Sequence, residues 1–380
     1  MNQRLFTSRL ESRTPLIIHV LTSLDYGGVE RHMEVIANVL DHSKMRHVFV
    51  AIGSGGATET KLQALGADVR CLGQKTKIPS IGAIVALLML FRRERPQVVH
   101  AHGAEANFHG LIAAYLARIN LRIGEEIGIP SHSNNAKKIF KLIYATAHRV
   151  IGVSRVVSEW LVDSGEVPAG KILQIDNPVG LPRLTQSAVE KPEFMQVVYV
   201  GRLEHVKNPL GLLIGFSKLL AYGLPAKLWF IGSGSEKSTL ERMSIQLGVN
   251  DKVQFFGFQK NPEEFIRQAH IFVQPSISEG FSLGLVEAMS CGVPVISTAV
   301  GSAPEIVQSK ITGWLLNNSD PELLTAALKE AWQLGPHKLN DMGEHAKQSV
   351  EGRFEPLHYL ARIEAQYENL LATNCANSKS

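Results

Sequence analysis

Residues 274–289 read QPSISEGFSLGLVEAM and decide the fold of the segment around them. The apolar run Ile271–Gln274 predicts a buried strand, and a helix is expected to begin near Ser282. The first backbone N–H groups of a helix have no partner within it, so they can bind an anion such as phosphate. Glu279 in the loop and Glu287 in the first turns suit a ligand that is part phosphate and part polyhydroxyl. The alternative is a dipole-complementing Glu287 and a solvated Glu279.

The strand-then-helix pattern repeats along the chain in two series. The predicted strands are 16–21, 47–52, 69–72, 98–101 and 150–153 in the first series, and 197–200, 226–231, 253–256, 271–274, 294–297 and 314–316 in the second. Such alternation is typical of parallel sheets covered on both faces. The polar stretch 177–192 holds three prolines and is interpreted as a linker. We therefore predict an α/β protein with two Rossmann-like, doubly wound domains, 1–182 and 183–355, that bind ligands at the carboxyl ends of their strands.

The composition indicates a globular protein, and the distribution of charge suggests an anionic partner. Apolar residues make up 45% of the 380 residues, so a core for each domain is available. The net charge of +4 divides into +7 over residues 1–185 and −3 over residues 186–380. The basic half suggests an anionic membrane surface or a phosphorylated acceptor, with ordinary scatter as the alternative. The basic residues are dispersed and no reader motif occurs, so nucleic acid is not expected as a partner.

Cysteines and targeting patterns indicate a reducing compartment. The three cysteines, at positions 71, 291 and 375, form no CxxC pair, so neither a disulfide framework nor a zinc site is expected. The amino terminus carries arginines but lacks the apolar run of a secretory signal. The longest apolar run, 81–91, is too short to span a membrane and predicts a buried helix with a charged end, with a membrane-inserted helix as the alternative. We expect a cytoplasmic protein, placed at the inner face of the cytoplasmic membrane if its basic half binds lipid.

A loop with two cations follows the first strand of the second series. Gly201 frees the turn, and Arg202 and Lys207 project from the short loop. Two cations near helix N-termini could hold a diphosphate and neutralise it as it leaves, with a solvated surface loop as the alternative. Gly232 and Gly234 follow another strand, where glycine lets backbone approach a ligand, and a plain tight turn explains them equally well.

The carboxylate pair at 279 and 287 resembles the Glu-x7-Glu signature of retaining glycosyltransferases of the GT-B fold, in the large group 1 family that uses nucleotide-activated sugars. The resemblance covers nearly the whole chain in the expected order. It also includes the segments 27–30, 98–102, 151–154, 201–209, 301–305 and 312–314. It implies that helix 356–380 crosses back to the first domain, as in relatives of this family.

The resemblance implies roles for matching positions. Arg202 and Lys207 would bind the donor diphosphate, Glu279 the donor sugar, and His102 would lie near the reaction centre. The alternatives to His102 are His100, Glu105 and His109. A histidine at a strand end can also serve only in packing or hydrogen bonding. The implied donor-binding residues are Gly27, Gly28, Gly201, Gly232, Phe258, Phe281, Ser282, Leu283 and Glu287, of which Glu287 would hold the ribose.

The chain departs from the family pattern in two places and lacks one further motif. Residues 177–180 read NPVG where the family often has NGVD, and Asn208 replaces a glycine. Neither change removes a charged ligand group. No Asp-x-Asp occurs, so no metal or cofactor is expected. The donor is expected to be a nucleotide diphosphate sugar, of the UDP type, whose charge Lys and Arg would neutralise.

A polar segment in the first domain offers candidates for the acceptor side. Glu125, Glu126 and His132 follow a strand-like run at 121–123, and an exposed connecting loop is the alternative reading. The basic stretch 137–141 could meet phospholipid headgroups or a lipid diphosphate. The expected partners are therefore the donor, a glycan or lipid-linked acceptor, and an anionic membrane.

The function implied by the resemblance is retaining sugar transfer to an acceptor hydroxyl, in bacterial cell-surface polysaccharide or lipopolysaccharide synthesis. Two alternatives remain open at this point. One is a sugar-nucleotide epimerase or hydrolase of the same fold, and the other is a catalytically silent sugar-nucleotide-binding protein.

Overall fold

The computed structural model describes residues 14–25, 27–130, 132–180 and 191–377, so the amino-terminal arginines and most of the predicted linker lie outside the described residues. The chain divides into two compact units. The first contains the residues up to 152, with 161–175 and 359 onward, and the second contains 153–160 and 176–358. The main division between these units falls between 175 and 176, and the domain boundary at 182/183 stays a prediction.

The first unit is built on a seven-stranded parallel sheet with strand order β3-β2-β1-β4-β5-β6-β7. Its strands are β1 (Leu16–Leu21), β2 (Arg46–Ala51), β3 (Asp68–Cys71), β4 (Val98–His102), β5 (Leu121–Glu126), β6 (Arg149–Gly152) and β7 (Ile172–Gln174). Its helices are α1 (Gly28–Ala37), α2 (Ala57–Ala64), α3 (Ile81–Glu94), α4 (Ala104–Leu116) and α5 (Asn134–Thr146), and α6 (Arg155–Asp163) runs from the second unit into the first.

Every residue of β1 is buried because helices cover both faces of this sheet. Alternate residues feed two apolar cores, with Ile17 and Leu21 in one and Ile18 and Val20 in the other. Tyr359 and neighbouring apolar residues of the carboxyl-terminal segment complete the first of these cores.

The second unit has a six-stranded parallel sheet with order β10-β9-β8-β11-β12-β13. Its strands are β8 (Met195–Val200), β9 (Ala226–Ile231), β10 (Val253–Gly257), β11 (Ile271–Gln274), β12 (Val295–Thr298) and β13 (Gly313–Leu316). Its helices are α7 (Pro209–Ala221), α8 (Lys237–Gln246), α9 (Glu263–Ile266), α10 (Leu283–Ser290), α11 (Ala303–Ile306) and α12 (Pro321–Val350), and α13 (Pro356–Asn377) begins here and continues in the first unit. The two doubly wound parallel sheets confirm the predicted α/β class.

Two helices differ from their predicted form. Asp320 and Pro321 predict a capped helix over 321–333. Asp320 does cap α12, with its carboxylate accepting a hydrogen bond of 2.9 Å from the Glu322 N–H, but the helix continues beyond 333, past a kink at Gly335 (φ 76°). Helix α3 buries only one face, because Ile81 and Met89 are 78% and 63% exposed. The prediction of a buried helix at 81–91 is therefore only half correct. In the parts of the chain that are described, no helix has both the length and the apolar character needed to cross a membrane.

Candidate functional site

Two loops of the second unit, predicted separately, meet through an ion pair. Strands β8 and β11 are neighbours, so the loops at their carboxyl ends share one edge of the sheet. Lys207 Nζ lies 2.5 Å from Glu279 Oε1, and Ser276 Oγ donates a 2.8 Å hydrogen bond to the same oxygen. The lysine and glutamate side chains are 21% and 9% exposed, so a cation and a carboxylate occupy one partly sheltered position.

Arg202 lies on the same loop as Lys207 but has a different partner. Its guanidinium is 2.8 Å from Glu204 and 62% of its side chain is exposed. The backbone of this loop is held by Tyr199, whose Oη donates a 2.7 Å hydrogen bond to the Arg202 carbonyl. Arg202 is therefore an exposed cation on a hydrogen-bonded loop, and an anion could compete with Glu204 for its guanidinium.

Gly232 is required by chain packing. Its φ is 138°, and a Cβ added there would lie 1.9 Å from the Gly201 carbonyl oxygen. The loops after β8 and β9 approach so closely that a side chain at Gly232 requires rearrangement, whereas a Cβ at Gly201 would make a tight contact of 3.1 Å with the Tyr199 hydroxyl. Both glycines stand where we predicted donor-binding glycines, and the tight-turn alternative accounts for Gly232 by itself.

The start of α10 offers fewer backbone donors than the sequence suggested. The Ser282 N–H already donates a 3.0 Å hydrogen bond to Ser302 Oγ, and Gln274 Nε2 donates to Ser282 Oγ at 2.8 Å. Leu283 and Gly284 are the first helical residues, whose N–H groups have no partner within a helix. The Ser282 N–H is thus occupied, and Leu283 and Gly284 are the helical residues that can offer N–H groups to an anion here.

The remaining predicted donor residues of the second unit lie around this helix start, except for Phe258, which follows the edge strand β10. Phe281 is 8% exposed and packs edge-on against Phe354, with ring centroids 5.6 Å apart. Glu287 is half-buried in α10. Phe258 follows β10 and is 57% exposed. The aromatic side chain of Phe281 therefore supports the loop, while Phe258 presents a ring to solvent.

Sequence reasoning missed three supporting residues. Ser276 and Ser302 fix Glu279 and the helix start, and Tyr199 fixes the Arg202 loop. Gly301 was noted only as part of a pattern, and its φ of +55°, with a Cβ position 2.7 Å from the Gly280 carbonyl oxygen, shows why glycine stands there. The sequence signal that could have identified Ser276 and Ser302 is that both are small polar residues close behind predicted strands.

The first unit has its own cavity, of about 560 Å³, at the carboxyl ends of β1, β4 and β5. The residues that line it are Thr22, Ser23, Val29, Glu30, Ile78, His102, Gly103, Ala104, Glu105, Glu126, Ile127, Gly128, Ile129, Pro130, His132, Ala136 and Phe140. Two of the three predicted acceptor-side residues, Glu126 and His132, are among them.

Glu126 is a buried carboxyl group with neutral partners. Tyr144 Oη donates a short hydrogen bond to its Oε1, and Asn107 Nδ2 donates to the same atom at 2.9 Å. Burial raises the pKa of Glu126 to about 7. His132 stacks on Phe140, with ring centroids 4.1 Å apart, and its Nδ1 lies 3.1 Å from Glu166.

Glu125 points away from the cavity because consecutive strand residues face opposite sides of a sheet. It is 1% exposed and lies within 3.4 Å of His100 and His102. His102 lines the cavity but its ring is also buried, with Nε2 2.9 Å from His19 Nδ1. Glu125 and His102 therefore belong to a histidine cluster beneath the cavity.

Gly27 and Gly28, at the start of α1, directly precede Val29 and Glu30, which line the same cavity. Gly27 is extended, and a Cβ there would lie 2.4 Å from a carboxylate oxygen of Glu30, which lines the cavity. A Cβ on Gly28, the first residue of α1, would meet nothing within 4 Å. The atom that a Cβ at Gly27 would meet belongs to the flexible side chain of Glu30, so a substitution at Gly27 would displace that side chain.

Comparisons with known proteins give a consistent family. Residues 26–183 match the family described as Glycosyltransferase Family 4, and residues 183–349 match Glycosyl transferases group 1. The chain is 32% identical to N-acetyl-alpha-D-glucosaminyl L-malate synthase of Bacillus anthracis over 46% of this chain, a match that spans 45% of that enzyme. It is 24% identical to the capsular polysaccharide biosynthesis glycosyltransferase CapM of Staphylococcus aureus, over 76% of this chain and 81% of that protein.

Among solved structures, Anabaena Alr3699/HepE in complex with UDP and glucose superposes with a TM-score of 0.81. It is 19% identical, and the match covers 93% of this chain and all of that one. At this identity the likeness shows the fold, which is GT-B. The adjoining family matches and the two parallel-sheet units together establish that the chain belongs to the group 1 glycosyltransferases of the GT-B fold.

Proposed function

We propose that this protein transfers a sugar from a nucleotide diphosphate sugar to an acceptor hydroxyl, with retention of the anomeric configuration and without a metal ion. The observation that carries the proposal is the Lys207–Glu279 pair at adjacent strand ends, beside the start of α10. Such a site offers a cation to the phosphates and a carboxylate to sugar hydroxyls. A nucleotide diphosphate sugar needs both groups, because its phosphates bind a cation and its sugar hydroxyls donate hydrogen bonds to a carboxylate.

The ion pair also supplies a way to open the site for a donor. An arriving diphosphate competes with Glu279 for Lys207 and with Glu204 for Arg202, because phosphate and carboxylate bind the same cations. Once released, Glu279 is free to accept hydrogen bonds from the sugar, and Ser276 keeps it oriented. The leaving diphosphate is then held by two cations while charge develops on it, which is electrostatic stabilisation by preorganised groups. Glu287 is assigned to the ribose by the family pattern.

The first-unit cavity is the proposed acceptor site. Glu126 and His132 line it, and Glu126 sits between Tyr144 and Asn107 with a pKa of about 7. A carboxyl group poised there can hold an acceptor hydroxyl in either protonation state. In the retaining reaction that the family resemblance implies, a donor phosphate oxygen takes the acceptor proton, so Glu126 is assigned to binding.

The named relatives support a proposal for the donor and the setting. HepE binds UDP, and the Bacillus anthracis synthase is named for N-acetylglucosaminyl transfer, so UDP-N-acetylglucosamine and UDP-glucose are the first donors to test. CapM acts in capsular polysaccharide synthesis, which supports a role in bacterial cell-surface polysaccharide or lipopolysaccharide assembly. The proposed place of action is the cytoplasm, at the inner face of the membrane.

An exposed face of α5 supports the membrane contact. Ile139 and Leu142 are 47% and 71% exposed, and Lys138 and Lys141 are exposed beside them. Apolar residues flanked by lysines suit an anionic lipid surface. Sedimentation with vesicles containing phosphatidylglycerol tests this, with phosphatidylcholine vesicles as the control. Equal recovery with both vesicle types would remove membrane contact from the proposal.

The alternatives are an epimerase or hydrolase of the same fold and a silent sugar-nucleotide-binding protein. One assay separates them: UDP release from each donor, measured with and without glycan and lipid acceptors. Acceptor-dependent release supports the proposed function. Conversion of the donor without an acceptor supports an epimerase or hydrolase, and thermal stabilisation by the donor without any turnover supports a silent binder.

A further inference from the structure

Three histidines and one carboxylate of the first unit meet in its core. Glu125 of β5 stands opposite His102 of β4 in the strand register, and His100, two residues earlier in β4, lies on the same face of the sheet. His32 of α1 approaches Glu125 from the helix layer. The four side chains are at most 1% exposed, and we call them the Glu125 cluster.

The polar atoms of the Glu125 cluster lack hydrogen bonds. Neither carboxylate oxygen of Glu125 is hydrogen-bonded to any described residue, and the same holds for His100 Nε2, His102 Nδ1 and both ring nitrogens of His32. Buried polar atoms in native proteins nearly always have a partner, because leaving one without a partner is costly. All of these atoms can offer a lone pair, so a cation is the one partner that satisfies them together.

The spacing within the Glu125 cluster is that of ligands around a single small cation. His100 Nε2 and His102 Nδ1 lie 3.1 and 3.4 Å from Glu125 Oε2, and His32 Nδ1 lies 3.7 Å from Oε1. Nitrogen and oxygen ligands of zinc bind at about 2.0–2.1 Å, which sets neighbouring ligands of a tetrahedral site about 3.3–3.4 Å apart. The three observed separations bracket this value.

The outer nitrogens of the two β4 histidines are hydrogen-bonded, which directs their inner nitrogens at Glu125. His100 Nδ1 lies 2.8 Å from Tyr367 Oη, and His102 Nε2 lies 2.9 Å from His19 Nδ1. A metal-bound histidine donates its other N–H to such a partner, which fixes the tautomer and the orientation of the ring. With hydrogens on these outer nitrogens, both rings are neutral and their inner nitrogens carry lone pairs.

His19 orients the cluster and is not one of its ligands. His19, His100 and His102 can each present a nitrogen atom within 4.8 Å of the other two. Both ring nitrogens of His19 are already engaged, however, at 2.9 Å from His102 Nε2 and 2.9 Å from His47 Nδ1. A ligand needs a free lone pair, so the fourth ligand is the carboxylate of Glu125.

The charge of the cluster also suits a divalent cation. Among the described residues, the ion-pair partners of Glu125 are the three histidines of the cluster, and an ionised carboxylate is stable in a core only when it is paired. Burial lowers the pKa of His32 to about 3 and that of His100 to about 4, so these rings are in the neutral form that binds metals. Imidazole and carboxylate together form a donor set that zinc accepts.

We propose that His32, His100, His102 and Glu125 bind one divalent transition-metal ion, with Zn²⁺ as the first ion to test. Four protein ligands close the coordination sphere, as in structural sites, so the ion joins α1, β4 and β5 and takes no part in the proposed sugar transfer. His102 lines the first-unit cavity, which gives the ion a route into the core.

The metal content of the full chain tests the proposal directly. The protein is produced without a histidine tag in zinc-supplemented medium, passed through gel filtration and analysed by plasma mass spectrometry and X-ray absorption. We expect about one zinc ion per chain, with histidine nitrogens and a carboxylate oxygen at about 2.0–2.1 Å. After removal by a chelator, Zn²⁺ restored at 100 times its Kd should lower the unfolding constant about 100-fold. Absence of stoichiometric zinc from both the purified and the reconstituted protein overturns the proposal.

Two ligand variants test which residues hold the ion. Glu125→Gln and His100→Phe should each weaken Zn²⁺ binding by more than about 100-fold, beyond the loss of about 10–100-fold that follows removal of an outer partner. His109→Gln is the matched control. His109 is another buried histidine of the first unit, and both of its ring nitrogens are hydrogen-bonded, so this variant should bind Zn²⁺ as the wild type does.

Equal Zn²⁺ affinity in Glu125→Gln and His109→Gln would contradict the proposed ligands. If neither ligand variant folds, the metal content and the absorption spectrum of the wild type still decide. A zinc ion coordinated without histidine would then overturn the proposal. No readout uses turnover, so a failure here is distinct from a failure of the proposed glycosyl transfer.

Discussion

Replacement of Lys207 by alanine separates a donor-site role from a structural one. The lysine Nζ is 2.5 Å from Glu279 Oε1 and its side chain is only 21% exposed, so the variant leaves a carboxylate that is 9% exposed without its cation. Ser276 still donates to that carboxylate. Leaving a buried polar group without a partner lowers the free energy of unfolding by about 1–3 kcal/mol. Because Glu279 is partly exposed and keeps its hydrogen bond from Ser276, we expect a loss of about 1 kcal/mol here. The variant should therefore remain folded.

The loss of activity in Lys207→Ala should be larger than the loss of stability. By analogy with removal of one preorganised donor from a charge-stabilising site, turnover should fall by about 10²–10³-fold, equivalent to about 2.7–4 kcal/mol of transition-state stabilisation. The assay is UDP release with the best donor and acceptor, run beside a thermal melt of the same preparation.

Lys218→Ala is the matched control for this experiment. Lys218 also lies in the second unit and also forms a lysine–glutamate pair, with Glu322, but on the outer surface of α7. Its removal should leave turnover within about twofold, because exposed pairs contribute about 0–1 kcal/mol. Wild-type turnover in folded Lys207→Ala, or equal losses in both variants, would refute the assignment of Lys207 to the leaving diphosphate.

Three further variants test other parts of the account. Gly232→Ala sets a methyl group 1.9 Å from the Gly201 carbonyl oxygen at a φ of 138°, so it should lower the melting temperature and weaken donor binding; an unchanged melt contradicts the close approach. Glu126→Gln removes a carboxyl group whose raised pKa, about 7, makes the wild type lose stability as pH rises from about 4.5 to 7. Its stability at pH 8 should exceed that of the wild type by up to roughly 3 kcal/mol in chemical denaturation, and an equal pH profile would show that Glu126 is not perturbed. Glu287→Ala should raise KM for the donor more than about tenfold with little change in the melt, and an unchanged KM would exclude the ribose role.

The sheets could be predicted because their strands are continuous apolar runs. Strands β1, β9 and β11 begin and end where the sequence placed them. The short strand β7 was missed because its three residues are half-buried and carry too little pattern to distinguish them from a loop. The amino-terminal cap of α12 and the start of α10 could be predicted from local residues, since capping depends on positions close in sequence.

The pairings within the sites could not be predicted from local sequence. Lys207 and Glu279 are 72 positions apart and meet only because β11 lies beside β8 in the sheet. Glu125 and Glu126 were grouped on the acceptor side, yet the strand sends their side chains to opposite faces. His19 meets His100 and His102 only through the pairing of β1 with β4. Long-range strand pairing, which local patterns do not contain, decides the contacts of Lys207 with Glu279 and of His19 with its neighbours. The alternation at Glu125 and Glu126 is local, and it was missed because the strand was expected to end at 123, whereas β5 continues to Glu126.

The central claim is transfer of a sugar from a nucleotide diphosphate sugar to an acceptor. It is tested most directly by incubating the full chain with UDP-N-acetylglucosamine or UDP-glucose and a panel of glycan and lipid acceptors, then measuring released UDP and glycosylated product by mass spectrometry. The account predicts UDP and product in equal amounts, only when an acceptor is present, with the anomeric configuration of the donor retained. Release or isomerisation of the donor sugar without an acceptor, or no turnover with a donor that binds, would contradict it.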